Sequence, residues 1–307
     1  MPMQFQLPPD TPRGPLTRFA PAPTGYLHLG HAASAVWVWG VARALGGTVL
    51  LRIEDHDRGR SRREYEQAIL EDLEWLGLEP DLGLPSEYRG GSSEYRQSDR
   101  AAVYERELAR LTGAGLVFSC DCSRRRLRES GTDMPNVETR YDGRCRHRGL
   151  APESGRGVRV RMEPGEEQFV DLRLGVQTQT PVEQCGDLLI RDRLGQWTYQ
   201  FAVTVDDWEE GVNLVVRGED LLESTGRQLR LARLLGRPSG PRFLHHPLIM
   251  SPSGAKLSKA NRDTGVRELR VAGVSPEEVL GAAAAATGLL VEPATIAAED
   301  LGALFKV

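Results

Sequence analysis

The sequence predicts an α/β protein with a doubly wound parallel sheet, a small inserted domain of β character and a short helical tail. Strand and helix patterns alternate over about the first 118 residues, which is typical of a parallel sheet with helices on both faces. The alternation stops over residues 119–190, where the chain is rich in Arg, Gly and Pro, and it resumes afterwards. A length of 307 residues is sufficient for one such domain with an insertion.

The first half of the sheet domain is expected over residues 16–118, after a flexible N-terminal arm over residues 1–15. A nearly continuous apolar run predicts a buried helix, and a later segment shows helical periodicity with Ile69 and Leu73 on one face. The predicted elements are a strand at 16–20, a helix at 32–45, a strand at 48–55, a helix at 61–77, a helix near 99–111 and a strand at 116–120.

The second half of the sheet domain is expected over residues 191–260, after the inserted domain over residues 119–190, and a helical tail over residues 261–307 closes the chain. The predicted elements are a helix at 199–211, a strand at 213–220, a helix at 224–236, a strand at 242–250 and a tail helix at 275–290. The alanine run in the tail favours a helix.

Composition places the chain among ordinary globular proteins, with 40% hydrophobic and 27% charged residues. No apolar run reaches the roughly 20 residues of a membrane span, and the first residues lack the apolar core of a secretory signal. We therefore expect a cytoplasmic protein, with a monomer as the default. The net charge of −4 leaves a nucleic-acid partner open, because a local basic face can lie within an acidic total.

Three of the four cysteines form a cluster that favours a metal site over a disulfide framework. They are Cys120, Cys122 and Cys145. Zinc prefers four tetrahedral ligands; His147 is the conventional fourth candidate and Tyr141 the unusual one. The alternative is three buried free thiols. Cys185 stands apart and is interpreted as a core thiol.

The stretch HLGH, residues 28–31, follows a Pro/Gly loop and opens a predicted helix. The N-terminus of a helix favours phosphate, and Gly30 would let a ligand approach the backbone. His28 and His31 could both donate hydrogen bonds to phosphate oxygens. The alternative is a loop with two surface histidines.

Acidic residues follow the second predicted strand, at the edge of an open α/β sheet where ligands bind. Glu54, Asp55 and Asp57 could hold an ammonium group or a ribose, or they could form a solvated acidic turn.

Arg217 ends another apolar strand, where an arginine can pair with a substrate carboxylate through two hydrogen bonds. The alternative is a structural pair with Glu219 or Asp206. Tyr199 lies on an apolar helix, a position usually occupied by core residues.

The loop SPSGAKLSKA holds two of the three lysines of the chain, Lys256 and Lys259. A lysine ammonium is compact and mobile, properties suited to stabilising charge that develops on a phosphate during transfer. The alternative is chance, since three lysines must fall somewhere.

Five stretches occur in an order that resembles the class I aminoacyl-tRNA synthetases of the glutamate type. They are RFAPAPTGYLHLGH, RIEDHD, TYQFAVTVDD, VVRGEDLL and KLSK, within about residues 17–260. HLGH is similar to the HIGH signature of the family and KLSK to its KMSKS loop. The resemblance implies a Rossmann-like catalytic domain that forms glutamyl-adenylate from glutamate and ATP, with Mg²⁺ accompanying the phosphates and structural zinc in the insertion.

The resemblance also implies roles for individual residues. Glutamate would contact Arg18, Phe19, Ala20, Pro21, Ala22, Glu54, Tyr199 and Arg217. ATP would contact His28, Gly30, His31 and Lys259, with His28, His31, Lys256 and Lys259 as the catalytic groups. Zinc would be held by Cys120, Cys122, Tyr141 and Cys145, which makes Tyr141 the fourth ligand in place of His147.

Within the family, the chain resembles the paralogue that attaches glutamate to the queuosine base of tRNA(Asp). Only 47 residues follow Ala260, whereas the synthetases continue with a large helical anticodon-binding domain. Ala22 stands where the synthetases usually have Ser, and Val203 where glutamyl-tRNA synthetases usually have Asn. The alternatives are a truncated synthetase that charges a tRNA 3′ end, a non-catalytic RNA-binding paralogue, and a nucleotidyltransferase that acts on a small molecule.

Overall fold

The structure is a computed structural model that describes residues 5–128, 140–237, 239–249 and 265–307. The strands are β1 (Phe5–Gln6), β2 (Leu16–Phe19), β3 (Thr48–Leu51), β4 (Val117–Cys120), β5 (Gly157–Val160), β6 (Glu167–Asp171), β7 (Gly175–Gln179), β8 (Leu188–Arg191), β9 (Leu214–Gly218), β10 (Arg242–His246) and β11 (Phe305–Lys306).

The α-helices alternate with these strands in both halves of the sheet domain. They are α1 (Leu29–Leu45), α2 (Arg63–Trp75), α3 (Pro85–Gly90), α4 (Ala101–Gly113), α5 (Arg124–Arg128), α6 (Pro181–Gln184), α7 (Tyr199–Glu209), α8 (Thr225–Leu234), α9 (Val266–Val271) and α10 (Pro276–Ala286). Short 3₁₀ helices occupy Gln97–Asp99, Glu219–Ser224 and Ala298–Leu304. In the part of the chain that is described, no helix has the length and apolarity to cross a membrane.

Parallel strands form the centre of the protein, so the predicted α/β class is confirmed. β2 pairs with β3, and β9 pairs with β10, in parallel registers. β2 meets β9 through Asn213, whose backbone N–H donates to the Leu16 carbonyl at 3.1 Å and whose Oδ1 accepts from the Leu16 N–H at 2.9 Å. Further along the two strands, the Arg18 guanidinium of β2 donates to the Val216 carbonyl of β9 at 3.3 Å, so their carboxyl ends are also close together, which positions a site at that edge.

Helix α1 is buried nearly all round, as its continuous apolar run predicts. The sheet covers one side of the helix, and the C-terminal segment covers the other. The Trp37 indole N–H donates to Thr287 Oγ1 at 3.0 Å, which fixes the helix to the tail. Gly40 is required inside the helix because a Cβ there would lie 2.3 Å from the Phe305 ring.

The N-terminal segment differs from the expected flexible arm over residues 1–15. Phe5 and Gln6 pair in parallel with Phe305 and Lys306, and Leu7 is fully buried. Residues 5–7 are ordered because their partner comes from the opposite end of the chain, a pairing that no local pattern reveals. Residues 1–4 lie outside the described part.

The inserted region also has different boundaries from the predicted 119–190. β4, expected in the parallel sheet, pairs in an antiparallel sense with β5, which in turn pairs with β8. The β6–β7 hairpin, expected in the insertion, extends the central sheet because Asp171 is in parallel register with Phe243 of β10. The insertion therefore consists of the three-stranded β4–β5–β8 sheet and the cysteine-containing loops.

Candidate active site

A cavity of about 680 Å³ opens at the carboxyl ends of β2 and β9, beside the N-terminus of α1. Every described residue that the resemblance assigns to glutamate or ATP lines this one cavity. These residues are Arg18, Phe19, Ala20, Pro21, Ala22, His28, Gly30, His31, Glu54, Tyr199 and Arg217. Lys256 and Lys259 lie outside the described residues.

His28 and His31 form a reciprocal cap at the start of α1. His28 Nδ1 accepts from the Gly30 N–H at 3.0 Å, and His31 Nδ1 accepts from the His28 N–H at 3.2 Å. Because each Nδ1 is an acceptor, the proton of each neutral ring is on Nε2. The sequence predicts two hydrogen-bond donors here, and the cap assigns the proton of each neutral ring to Nε2.

This cap requires glycine at position 30. A Cβ at this position would lie 2.8 Å from His28 Cε1 and 3.0 Å from His28 Nδ1, closer than van der Waals contact allows. The glycine therefore allows the His28 ring to fold back over the first turn of the helix.

Arg217 is 4% exposed, and its guanidinium is surrounded by neutral acceptors. Nε donates to His245 Nε2 at 3.0 Å, while the terminal nitrogens donate to Gln228 Oε1 at 2.7 Å and Thr225 Oγ1 at 2.9 Å. No described carboxylate forms an ion pair with Arg217. A buried cation without an anion is a ready partner for an anionic ligand.

The structural pair considered for Arg217 is absent, because both candidate acids have other partners. Glu219 pairs with Arg173, and Asp206 accepts from Arg100 Nε at 2.8 Å. The interpretation of Arg217 as a purely structural arginine is therefore not supported by its contacts.

His245 links Arg217 to Asp171, a residue that the sequence analysis did not single out. His245 Nδ1 lies 2.6 Å from Asp171 Oδ2, and its Nε2 accepts from Arg217. This arrangement requires a neutral ring with the proton on Nδ1. Burial lowers the pKa of His245, consistent with the neutral form. Asp171 thus fixes the orientation of Arg217 through His245.

Glu54 and Arg18 are held by a buried charge network. Arg52 NH2 donates to Glu54 Oε1 at 2.9 Å, and Asp207 Oδ1 accepts from both Arg52 at 2.8 Å and Arg18 at 3.0 Å. Burial opposes ionisation of Asp207, but the charges of Arg18 and Arg52 outweigh it and lower the pKa of its carboxyl. Two fixed side chains of opposite charge, Arg18 and Glu54, therefore face the cavity.

The other acids of the RIEDHD stretch do not line the cavity. Asp55 Oδ1 accepts from the Ser98 N–H at 2.7 Å, and Asp57 pairs with Arg60 at 2.6 Å. The segment after β3 directs Glu54 alone toward the cavity, so the solvated-turn interpretation applies to Asp57.

Tyr199 lines the cavity and is not a core residue, whereas Val203, one turn later, is buried without lining it. Burial raises the pKa of Tyr199, so its hydroxyl remains protonated at neutral pH.

His246 also lines the cavity, although the sequence analysis did not single it out. Its ring stacks on Trp37 with centroids 6.0 Å apart, and burial lowers the pKa of His246 to about 4. The signal that could have identified His246 as a site residue is its position at the end of β10, the strand beside β9.

The cysteine cluster has the dimensions of a tetrahedral metal site. The thiol sulfurs of Cys120, Cys122 and Cys145 all lie within 4.8 Å of one another. The Cys122 and Cys145 sulfurs are 3.6 Å apart, and the Tyr141 hydroxyl is 3.8 Å from the Cys120 sulfur. Sulfurs bound at about 2.3 Å to one tetrahedral zinc lie about 3.8 Å apart. The three thiols therefore fit a zinc site, and the Tyr141 hydroxyl lies beside them, where it accepts from the Cys145 N–H at 2.8 Å.

Arg159 supplies positive charge to this cluster. Its Nε donates to Cys120 Sγ at 3.4 Å, and its guanidinium lies 3.8 Å from the Tyr141 ring centroid. Burial opposes ionisation of the Cys120 thiol, but Arg159 outweighs it and lowers the pKa of Cys120. His147, the other candidate ligand, is exposed and lies outside the cluster. Cys185 packs in a separate core cluster.

Comparison with known proteins defines the class. Residues 16–286 match the family of class I tRNA synthetases (E and Q), catalytic domain. Because this match spans most of the chain, the protein belongs to that family.

Individual relatives carry two names within the family. A glutamyl-Q tRNA(Asp) synthetase from Symbiobacterium thermophilum is 40% identical over 302 residues, which cover 94% of this chain and 92% of that protein. A glutamate–tRNA ligase 2 from Syntrophus aciditrophicus is 39% identical over 275 residues, covering 87% of this chain and 56% of that protein.

A solved structure has the same fold. The glutamate tRNA ligase from Elizabethkingia meningosepticum, in complex with its amino acid, superposes with a TM-score of 0.76 at 26% identity. The match covers 96% of this chain, which spans 65% of the length of that solved chain.

Proposed function

We propose that the protein activates L-glutamate with ATP and transfers the glutamyl group to the queuosine base of tRNA(Asp). The observation that carries the proposal is the single cavity that unites Arg217, Glu54 and the two histidines of α1. The similarity to glutamyl-Q tRNA(Asp) synthetases supports the choice of RNA acceptor.

Glutamate carries two carboxylates and one ammonium group, and the charges lining the cavity complement them. Arg217 would pair with a carboxylate, since its guanidinium has no described anionic partner. Glu54, held by Arg52, would face the α-ammonium group. A buried, pre-oriented pair of opposite charges favours an amino acid over a neutral ligand.

ATP would lie against the N-terminus of α1, where the Nε2 protons of His28 and His31 and the helix dipole favour phosphate. The glutamate α-carboxylate oxygen attacks the α-phosphorus, the bond to the bridging oxygen breaks, and pyrophosphate leaves with its electron pair. The protein positions the reactants and stabilises charge, with no covalent enzyme intermediate. Lys259 would act on the phosphates, supported by Lys256, and Mg²⁺ would accompany them.

In the second step, a hydroxyl of the queuosine cyclopentenediol attacks the activated carbonyl carbon. The acyl–phosphate bond breaks, AMP leaves, and the hydroxyl proton is released, so that an ester remains on the base. We propose a cytoplasmic reaction, since tRNA and ATP are its substrates, with a monomer as the default.

Zinc would be held by Cys120, Cys122, Tyr141 and Cys145. It would supply structural cross-linking between the end of β4 and the loop that contains residues 141–145, with no part in the chemistry. The distance of 3.6 Å between two of the sulfurs supports this assignment.

Glutamate-dependent exchange of labelled pyrophosphate into ATP, measured without tRNA, tests the activation step. We expect exchange with L-glutamate and none with L-glutamine or without an amino acid. Pure, zinc-loaded protein that shows no exchange would refute the enzymatic proposal.

Charging of a tRNA 3′ end is a second candidate, favoured by the 39% identity to a glutamate–tRNA ligase. An anticodon stem–loop fragment with queuosine separates the two, because it lacks the acceptor end. Stable labelling of that fragment with glutamate supports transfer to the base, and labelling of full-length tRNA alone supports the second candidate.

A further inference from the structure

A second cavity, of about 440 Å³, shares a wall with the active-site cavity. Pro23 lines the second cavity, whereas its neighbours Ala22 and Thr24 line the first. Two adjacent acids also lie in different cavities, since Glu54 lines the first cavity and Asp55 lines the second. A ligand in one cavity is therefore a near neighbour of a ligand in the other.

Three exposed arginines line the second cavity without an ion-pair partner among the described carboxylates. They are Arg58, Arg62 and Arg63. Arg62 donates to the backbone carbonyls of Gly59 at 3.0 Å and Ser61 at 2.9 Å, which hold its guanidinium without neutralising it. The three side chains therefore leave uncompensated positive charge at the cavity.

The acids that line the cavity are engaged by other groups. Arg96 donates to Glu66 at 2.7 Å and 3.2 Å and to Asp99 at 2.9 Å. Asp55 accepts from the Ser98 N–H at 2.7 Å. With four arginines against three acids, the lining has a net positive charge.

The second cavity also receives the N-terminus of α2, a helix of 13 residues. The N-cap residue, Arg62, provides no side-chain hydrogen bond to the first turn, so the positive end of the helix is not capped by an acceptor. The backbone N–H groups of the first turn and the arginine guanidinium groups together match the oxygens of a phosphate.

We infer that this cavity binds a backbone phosphate of the RNA acceptor, next to the nucleotide that enters the active site. The inference rests on the proposed function, since it requires an RNA in the first cavity. Phosphate contacts from arginine fix the register of a nucleic acid without reading its sequence. The contact would therefore hold the strand in place while the modified base is presented to the adenylate.

The test measures binding of tRNA(Asp) by fluorescence anisotropy over a series of salt concentrations. Arg58→Ala and Arg63→Ala are each expected to weaken binding about two- to fivefold and to reduce the salt slope by about 1. Arg58→Lys is expected to keep the slope, because it keeps the charge.

Arg60→Ala is the matched control, in the same loop and with the same change of charge. Arg60 pairs with Asp57 at 2.6 Å and does not line the cavity, so its removal is expected to change the slope far less. Equal slopes for Arg58→Ala, Arg63→Ala and the parent protein would overturn the inference, provided that thermal unfolding shows all of them folded.

Pyrophosphate exchange in the same variants separates this inference from the proposed function, because exchange needs no RNA. If exchange is unchanged and tRNA binding is weakened, the result supports both the phosphate contact and the proposed function. Exchange present with unchanged tRNA binding refutes the phosphate contact alone, whereas exchange absent from the parent refutes the proposed function, on which the phosphate contact rests. Inorganic phosphate, at matched ionic strength, should displace tRNA from the parent more than from Arg58→Ala; equal displacement would contradict an RNA phosphate site.

Discussion

Arg217 is a buried cation held only by neutral groups among the described residues, so its charge is costly to the fold and useful to an anionic ligand. We expect Arg217→Gln to raise the KM for glutamate in pyrophosphate exchange by about 30-fold or more, the effect of losing a buried charge pair. Thermal stability should be retained, because the desolvation cost of the charge disappears with it.

The control for this variant is Arg43→Gln, which removes a partly exposed pair with Asp81 away from the cavity. Its KM for glutamate should match that of the parent. An unchanged KM in Arg217→Gln would exclude a carboxylate-binding role for Arg217.

Gly30 matters through the His28 ring rather than through backbone freedom alone. In Gly30→Ala, the new Cβ displaces a ring whose atoms lie 2.8–3.0 Å away, which breaks the cap and moves Nε2. We expect a loss of about 1 kcal/mol in stability, typical of a lost N-cap, and a larger fall in exchange rate with a raised KM for ATP.

Gly113→Ala provides the comparison, since a Cβ there meets nothing within 4 Å at the end of α4. It should leave the exchange rate unchanged. If Gly30→Ala behaves like Gly113→Ala, the two histidines do not act through the geometry of the cap.

At the scale of elements, α2 carries a buried acid that opposes folding at neutral pH. Asp72 is 3% exposed, its Oδ2 has no hydrogen-bond partner among the described residues, and burial raises the pKa of its carboxyl to about 6. Between pH ~4 and pH ~6 the folded state holds a proton that the unfolded state has lost, so stability falls as pH rises through this window.

Asp72→Asn should therefore increase the free energy of unfolding at pH 7 by roughly 2 kcal/mol and flatten its decline between pH 4 and 6. Urea unfolding at several pH values measures both effects. The exposed neighbour Glu71→Gln is the control, and a slope that persists in Asp72→Asn would assign the pH dependence to another group.

The β4 strand and the loop that contains residues 141–145 depend on the cysteine cluster for their connection. We expect about one zinc ion per chain, and removal by a chelator should lower the melting temperature by several degrees without unfolding the sheet domain. Cys122→Ser and Tyr141→Phe should each weaken zinc binding.

Cys185→Ser should retain full zinc content, because Cys185 packs in a separate core cluster. Zinc content that is equal in Cys122→Ser and in the parent protein would show that the cluster is a set of buried free thiols.

The elements that the sequence predicted well are those whose signal is local. Helices α1 and α7 follow from apolar runs and periodicity, and β3 and β9 from short apolar stretches that run into charged residues. The β6–β7 hairpin was assigned to the insertion because its pairing with β10 joins Asp171 to Phe243, across 72 residues of chain. Local patterns carry no information on such a pairing.

The same limit applies to the candidate site. Glu54 and Arg217 could be predicted because each lies at or just after the carboxyl end of an apolar strand, in a recognisable stretch. Asp171 and His245 could not, because their role depends on a sheet register that brings β6 beside β10.

At the scale of the whole molecule, both ends of the described chain are tied to the sheet domain. β1 pairs with β11, and the tail packs on α1, the helix whose N-terminus forms one wall of the cavity. Residues distant in sequence from the active site therefore support it by packing against α1. Local sequence patterns assigned these residues to a flexible arm and a short tail.

Transfer of the glutamyl group to queuosine is tested most directly with two preparations of tRNA(Asp). One contains queuosine and the other an unmodified guanosine; each is incubated with ATP and labelled glutamate, and the labelled nucleotide is located after nuclease digestion. We predict label only in the queuosine-containing tRNA, on the anticodon base. Label at the 3′ end, or equal label in both preparations, would contradict the account.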